Sequence, residues 1–431
     1  MEARNEASVG MTNASPDVVV IGAGPAGAGG ALRLAERGVS VLLVDRQSLP
    51  RAKVCGGCLH RRGVKRLSRW GVANEVLRAA GAEQLVTSEV MAGGRALRWP
   101  RGHGWSVDRA AFDFALTQAA VDRGVVLEDR TAARVQREAS SRWSVRLRRR
   151  DSDERIVRPR FVWVADGLGG SALSGLSGGV DASLTIRRAT RSYVGAGAML
   201  PFEDETQVEA CLLRNCVRMF VGRGGYVGAV RTNTIDGRST NPPGIELAAA
   251  FEPGLVKACG GAGAAAAQLI GDACNSDCCT GLNLSTVSAA TWRMTPALTA
   301  RRTRVALPGL FIVGDAGGYI EPFTGEGMAW ALQAADGASA LIAAALSGQC
   351  SAKAAAQAWN RRCAWHRRAG RAWCWGTRSM LRRPALVAAL TSIGSRLSGS
   401  PLAGSTRQSM TDATDLEAAS RPRRMDVGVL R

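Results

Sequence analysis

The sequence predicts an α/β chain: a three-layer domain of Rossmann type, an inserted antiparallel-sheet domain and a helical C-terminal extension. Three observations predict it. Apolar, β-branched runs end in glycine-rich turns at three places far apart in the chain, near residues 18–21, 161–164 and 310–313. Such runs, bounded by turn signals, are the pattern of strands buried on both faces. Helical spacing follows the first and third of them. Between the second and third, residues 185–251 break into short strand-like pieces separated by Gly, Pro and Asn turns, as an antiparallel sheet requires.

The first run, Val18-Val19-Val20-Ile21, leads into Gly22-x-Gly24-Pro25-Ala26-Gly27, a helical stretch with Ala31, Leu34 and Ala35 on one side, and a second strand from Val39 to Val44 that ends at Asp45. Each glycine stands where a side chain would interfere: Gly22 in the tight turn, Gly24 where a pyrophosphate approaches, Gly27 where helix packs on strand. The helix N-terminus offers free N–H groups to phosphates. Asp45 is placed to accept hydrogen bonds from a ribose. A lone GxGxxG is weak; the strand, the helix and the acid together predict a dinucleotide-binding βαβ unit.

Composition bounds the alternatives. The chain has 431 residues, 46% hydrophobic and 21% charged, an ordinary balance for a globular protein with a large core. No uninterrupted apolar run reaches the roughly 18 residues of a membrane span. The N-terminal stretch has no apolar segment behind its charges, so the expected compartment is cytoplasmic. The net charge is +20, and lysine occurs only at 53, 65, 257 and 353. That excess reads as a general preference for Arg; no helix-turn-helix, zinc-finger or RNP pattern accompanies it, so no nucleic acid is expected. Eleven cysteines in so long a chain do not make a disulfide scaffold. Cys274-x-x-x-Cys278-Cys279 lacks the His or second CxxC that would complete a zinc set.

After Asp45 the chain runs Arg46-Gln47-Ser48-Leu49-Pro50-Arg51-Ala52-Lys53-Val54-Cys55-Gly56-Gly57-Cys58. This resembles the P-x-x-K-x-C-G-G segment of the geranylgeranyl reductase family, within the flavoprotein group that also holds aromatic hydroxylases and flavin halogenases. The resemblance implies FAD as the cofactor, with Lys53, Cys55, Gly56 and Gly57 lining its isoalloxazine ring and Lys53, Cys55 and Tyr226 as candidate catalytic residues. Arg46 and the fingerprint residues Gly22, Gly24, Pro25, Ala26, Gly27 and Asp45 would hold the adenosine and pyrophosphate. Cys58 lies outside the family pattern and makes a CxxC, which raises the idea of a dithiol exchanging electrons with the flavin.

Three further segments carry the resemblance. Arg109-x-x-Phe112-Asp113-x-x-Leu116 matches the group's R-x-x-F-D-x-x-L helix, which implies that Arg109 faces the flavin or its phosphates. Ala165-Asp166-Gly167, with a Gly- and Ser-rich stretch to Ser171, resembles the A-D-G-x-x-S motif and places Asp166 and Gly167 on the opposite side of the cofactor. Gly314-Asp315-Ala316-Gly317, followed by Pro322-Phe323-Thr324-Gly325-Glu326-Gly327-Met328, resembles the G-D-A-A-G…P-x-T-G-E-G-[IM] segment. There the Asp binds the ribityl chain and a helix N-terminus points at the pyrimidine ring, where its positive end suits negative charge. One strand departs from the family: where a Tyr-x-Trp-x-Phe-Pro run is expected, this chain has Tyr226-x-Gly228-x-Val230-Arg231, which argues for a different or bulkier substrate.

The expected organisation is an unstructured leader over 1–15, then a discontinuous FAD-binding domain over 16–75, 100–184 and 296–345. A substrate domain covers 76–99 and 185–295, with 248–269 read as an Ala-rich helix. A helical region follows over 346–397 and a tail without regular structure over 398–431. Trp359, Trp365, Trp373 and Trp375 among many arginines suggest helices that close the domain or rest on the inner face of a membrane. With three histidines and no triad, metal or P-loop constellation, the hard chemistry falls to the cofactor. The leading expectation is hydride transfer to a C=C bond or quinone-like carbon of a hydrophobic isoprenoid, quinone or polyketide-like substrate. NAD(P)H would be a transient donor, since no second GxGxxG exists. The alternatives are a flavin monooxygenase acting on an aromatic or polyketide substrate, and a non-catalytic flavin-binding protein at a membrane.

Overall fold

The computed structural model describes residues 15–149, 154–174, 176, 182–202, 215–233, 243–274, 282–320, 325–364, 387 and 389. The expected leader and tail, Cys278, Cys279, Pro322, Trp365, Trp373 and Trp375 lie outside the described residues.

Val18–Ile21 is fully paired and forms the centre of a six-stranded sheet. Phe161–Val164 lies on one side and Val41–Val44 on the other, both parallel, with Val18 opposite Phe161 and Val41. Leu310–Ile312 adds in parallel beyond Phe161–Val164, and Val126–Glu128 beyond Val41–Val44. The three apolar runs thus become neighbouring strands although they are distant in sequence. Their short length, four residues in two and three in the last, and their apolar content suit a sheet covered on both faces. The fingerprint helix Pro25–Ala35 packs with Arg109–Val121 and Gly327–Leu346 as one layer. A meander of Thr131–Arg137, Trp143–Arg149 and Arg155–Val157 supplies the third layer, with the Trp143 indole donating to the Pro308 carbonyl at 2.8 Å.

Gly327–Leu346 is long and apolar enough to cross a bilayer by length and composition, although Asp336 interrupts its apolar run. Its apolar side is used elsewhere: Leu332, Ala335, Ala338 and Ile342 are fully buried in the core shared with the fingerprint helix. At 352–364 the chain is helical. There the buried Trp359 stacks on Phe311 and donates to the Ile312 carbonyl, while Asn360 bonds the backbone of Val305 and Ala306.

The second sheet has eight strands in the order Arg293–Ala297, Val194–Pro201, Gly244–Phe251, Gly225–Thr232, Cys216–Gly222, Glu83–Ala92, Arg95–Ser106 and Cys58–His60. Two expectations are corrected here. The sheet is mixed, because Cys216–Phe220 pairs in parallel with Thr87–Met91. The expected helix over 248–269 begins as strand: Gly244–Phe251 pairs on both sides, and helices run instead over Pro253–Ala258 and Ala262–Cys274, with the break at Gly260 and Gly261 where it was expected. Alanine's helix propensity yields to a central sheet position. The hairpin 83–106 also carries the sheet across the boundary expected at residue 99. Ala262–Cys274 covers one face of this sheet: Leu269 sits against Gly222 and Gly225, where a Cβ would meet it at 2.5 and 3.1 Å. The opposite face looks toward the parallel sheet across a cleft.

Candidate functional site

The carboxyl ends of the parallel strands open into a cleft of about 940 Å³, lined by Gly22, Asp45, Lys53, Asp166, Asp315 and Gly327 on one side and by the second sheet on the other. This is where open α/β sheets place their ligands, and the volume is at the upper end for small-molecule sites.

The glycine loop is built for close approach. A Cβ on Gly27 would lie 1.7 Å from the Gly22 carbonyl oxygen, and one on Gly22, at φ +102°, would lie 2.5 Å from the Ala165 carbonyl oxygen. Gly24 differs: its Cβ would meet only the tips of Arg51, Asp113 and Lys53, at 3.8–3.9 Å. It would stand in the space between the uncapped helix N-terminus and two cations. The Asp45 carboxylate accepts from Ala23 N–H at 2.8 Å and Gln47 N–H at 3.0 Å, and pairs with Arg51 at 3.1 Å. Arg51 also reaches Asp113 at 3.4 Å, and Asp113 is held by Arg109 at 3.0 Å. Arg51 and Asp113 were not assigned from sequence, although the i, i+4 spacing of Arg109 and Asp113 is a helix ion-pair signal.

Deeper in the cleft the charges are strongly desolvated. Burial lowers the Lys53 pKa, and Arg109 lowers it further, against Asp315 and Asp113. Burial likewise raises the pKa of Asp315, opposed by Lys53 and Arg109. Burial works against the Arg109 charge, yet Asp113 and the adjacent Cys55 outweigh it and move its pKa upward. Gly57, at φ +55°, turns the chain from the cleft into the edge strand that starts at Cys58, and a Cβ on Gly56 would lie 3.5 Å from the Ala248 methyl. Cys55 and Cys58 are not joined by a disulfide.

The other anchors converge on the same space. Asp166 follows its strand, and its Oδ2 accepts from Ala172 N–H at 2.8 Å. Burial raises its pKa, opposed by that N–H and by Arg302. Its buried Oδ1 has no partner. Gly167, at φ +73°, leaves its face to the Lys53 ammonium, 3.2 Å from where a Cβ would be. Arg46 reaches Gly169 across the mouth of the cleft, 3.9 Å from where its Cβ would be. Gly314, at φ +68°, lies against Ala26 so closely that a Cβ would be 2.8 Å from the Ala26 methyl. The third anchor therefore rests on the first. Gly325, Glu326, Gly327 and Met328 line the cleft at the start of the long helix, which has no side-chain cap. Pro25 and Ala26 are buried in the first turn of the fingerprint helix.

Tyr226 lies in the second sheet, buried and lining the cleft. Two places away, a Cβ on Gly228 would lie 2.9 Å from the Met219 sulfur. The space beside Gly228, where the family resemblance led us to expect a tryptophan, is filled by Met219 from the next strand.

These residues fit a long, anionic dinucleotide: cradling glycines, a cation cluster beside an open helix N-terminus, and a buried carboxylate oxygen that lacks a partner. Comparison with known proteins agrees. Residues 15–220 match the family described as FAD binding domain. The chain is 47% identical over 62 residues to a menaquinone reductase of Mycolicibacterium smegmatis, covering 14% of this chain and 15% of that one. It is 34% identical over 157 residues to a menaquinone reductase of Mycobacterium tuberculosis, covering 36% and 38%. The matched stretches thus span well under half of these relatives. Two solved structures share the fold. One is a geranylgeranyl bacteriochlorophyll reductase-like protein of Thermoplasma acidophilum, with a TM-score of 0.66, 16% identity, and 88% and 91% of the two chains covered. The other is a probable FAD-dependent monooxygenase of Pseudomonas aeruginosa, with a TM-score of 0.62, 19% identity, and 88% and 99% covered. Residues 15–220 therefore carry an FAD-binding domain, which makes FAD the cofactor, and the fold is the one these two solved structures share.

Proposed function

We propose that this protein is an FAD-dependent reductase of a hydrophobic substrate, adding hydrogen to a C=C bond or a quinone-like carbon of an isoprenoid, quinone or polyketide-like molecule. The observation that carries this reading is the wall opposite the Lys53–Gly57 turn. Ala196, Ala248, Ala250, Gly228, Val217 and Met219 present an apolar surface to the cleft, which rewards burial of an apolar substrate. The menaquinone reductase relatives support a quinone-like member of that class.

When bound, FAD supplies the hydride. The residues supply binding and electrostatics. The helix N-terminus behind Gly24, with Arg51 and Lys53, would neutralise the pyrophosphate. Asp45 and Arg46 would hold the adenosine side, with Asp45 turning from Arg51 to a ribose. Asp166 and Gly167 would close the opposite side, where the free Asp166 Oδ1 awaits a donor. Gly314 and Asp315 would hold the ribityl chain. Gly56, Gly57, Gly325, Glu326, Gly327 and Met328 would frame the ring. Lys53, Cys55 and Tyr226 stand nearest the region where ring and substrate meet, and Arg109 braces Cys55.

The likeness to the Pseudomonas monooxygenase supports a second reading, oxygen-dependent hydroxylation on the same scaffold. The two predict opposite results for purified, FAD-loaded protein. Anaerobic turnover of a menaquinone or polyprenyl substrate with NADH, NADPH or dithionite supports the reductase. Oxygen uptake coupled to a hydroxylated product replaces that reading with the second. A flavin that stays reduced with every lipophilic acceptor supports a binding protein without turnover. NAD(P)H as a transient donor, a cytoplasmic location with peripheral membrane contact, and independence from nucleic acid belong to the same proposal. The burial of Trp359 favours core packing over membrane contact for that part of the C-terminal region.

A further inference from the structure

Beside the main cleft lies a second cavity of about 180 Å³ that shares Ala52, Lys53, Val54, Arg109 and Arg293 with it. Glu246 opens into this cavity from the strand Gly244–Phe251. It is the one acid in an otherwise apolar strand, 9% exposed, and its Oε2 has no hydrogen-bond partner among the described residues. A buried carboxyl left this way is costly as an anion. Strand 194–201 brings only Gly197, Ala198 and Met199 to the cavity, and residue 291 brings a threonine. Lys53 and Arg293 line it from the cleft side, and Asp108 and Arg109 act from the start of the helix Arg109–Val121.

We infer that Glu246 is the proton donor for the reduction, holding a proton in this side cavity and passing it to the substrate in the main cleft. The inference rests on the reductive reading above. Adding hydrogen across a C=C or C=O bond takes two electrons and two protons. A hydride brings both electrons and one proton; the second proton leaves Glu246, which becomes a carboxylate and is reprotonated from solvent. A two-electron donor of the nicotinamide class then restores the reduced cofactor. The cavity has room for several waters at about 30 Å³ each, so the proton can travel along a short hydrogen-bonded file past Lys53 and Arg109.

The electrostatics agree with the geometry. Burial, reinforced by Asp108 and opposed by Arg109, raises the Glu246 pKa from 4.5 to about 8. The group is therefore protonated at neutral pH, as a proton donor must be. The folded state binds this proton more tightly than the unfolded chain, so its contribution to stability is present at low pH. It is lost as pH rises from about 5 to about 8.

The test compares FAD-loaded wild type and Glu246→Gln, which keeps the shape and loses the proton. Retained flavin absorbance shows that the variant is folded. Under anaerobic conditions, wild-type reduction of a menaquinone should fall above about pH 8 and show a solvent deuterium isotope effect. Glu246→Gln should be slower by about 10²–10⁴-fold and lose that limb. Independently of turnover, the infrared band of a protonated carboxyl should titrate near pH 8 in FAD-free wild type and be missing from the variant. The urea midpoint of the FAD-free variant should also lose the decline between pH 5 and 8. If wild type reduces no substrate, the reductase reading fails. If wild type reduces it and the variant keeps the rate, the pH limb and the isotope effect, the role of Glu246 is overturned.

Discussion

At Gly24 and Gly27 the same small residue does two different jobs. Gly27 has no room for a methyl group because the Gly22 carbonyl already occupies the place. Gly24 has room in the protein itself and none to spare once phosphates sit between the helix end and Arg51. Gly27→Ala should therefore lower the unfolding midpoint and purify without FAD, since overpacking against backbone has no rotamer to relax into. Gly24→Ala should keep an unfolding free energy within about 1 kcal/mol of the parent while weakening FAD binding by at least about tenfold, about 1.4 kcal/mol. Denaturant titration and flavin fluorescence measure the two halves separately. If both variants lost stability alike, the distinction between packing glycine and ligand glycine would be wrong. The residues legible from sequence were those that sit in spaced motifs. Arg51, Arg302 and Glu246 were not, because their roles depend on burial and on partners brought in by other elements. A single acid within Gly244–Phe251 was the only local sign of Glu246.

The long helix Gly327–Leu346 shows how an element's pattern can suit two environments. Its apolar length would serve a membrane, and its position makes it the partner of the fingerprint helix: a Cβ on Gly29 would lie 3.4 Å from the Ala335 methyl. Leu332→Ala should accordingly cost about 2–5 kcal/mol of stability in the FAD-free protein, read from the denaturant midpoint, because the void cannot collapse between two packed helices. A surface or lipid-facing leucine would give a far smaller loss. At this scale the strands of the parallel sheet were readable as continuous apolar runs. The strand Gly244–Phe251 was not, since three consecutive alanines signal helix until neighbouring strands claim them on both sides. The parallel pairing of Cys216–Phe220 with Thr87–Met91 had no local signature.

Across the whole molecule, three distant segments line one cleft, so a cofactor bound there should act as a cross-brace. FAD at a hundredfold excess over its Kd should stabilise the fold by about 2.7 kcal/mol, seen as a rise in Tm that depends on FAD concentration. A Tm indifferent to FAD would mean that the anchors do not share one ligand.

The seat of Gly314 upon Ala26 has one more consequence. A ribosome delivers the glycine loop early and the strand that completes it late, so a growing polypeptide carries an open half-socket for most of its synthesis. During that interval Arg51 can remain neutralised by Asp45 and Asp113, its own acidic neighbours, instead of by a nucleotide. Colour should therefore arrive last, with the yellow prosthetic group loading once the Gly314 strand has closed on the glycine loop.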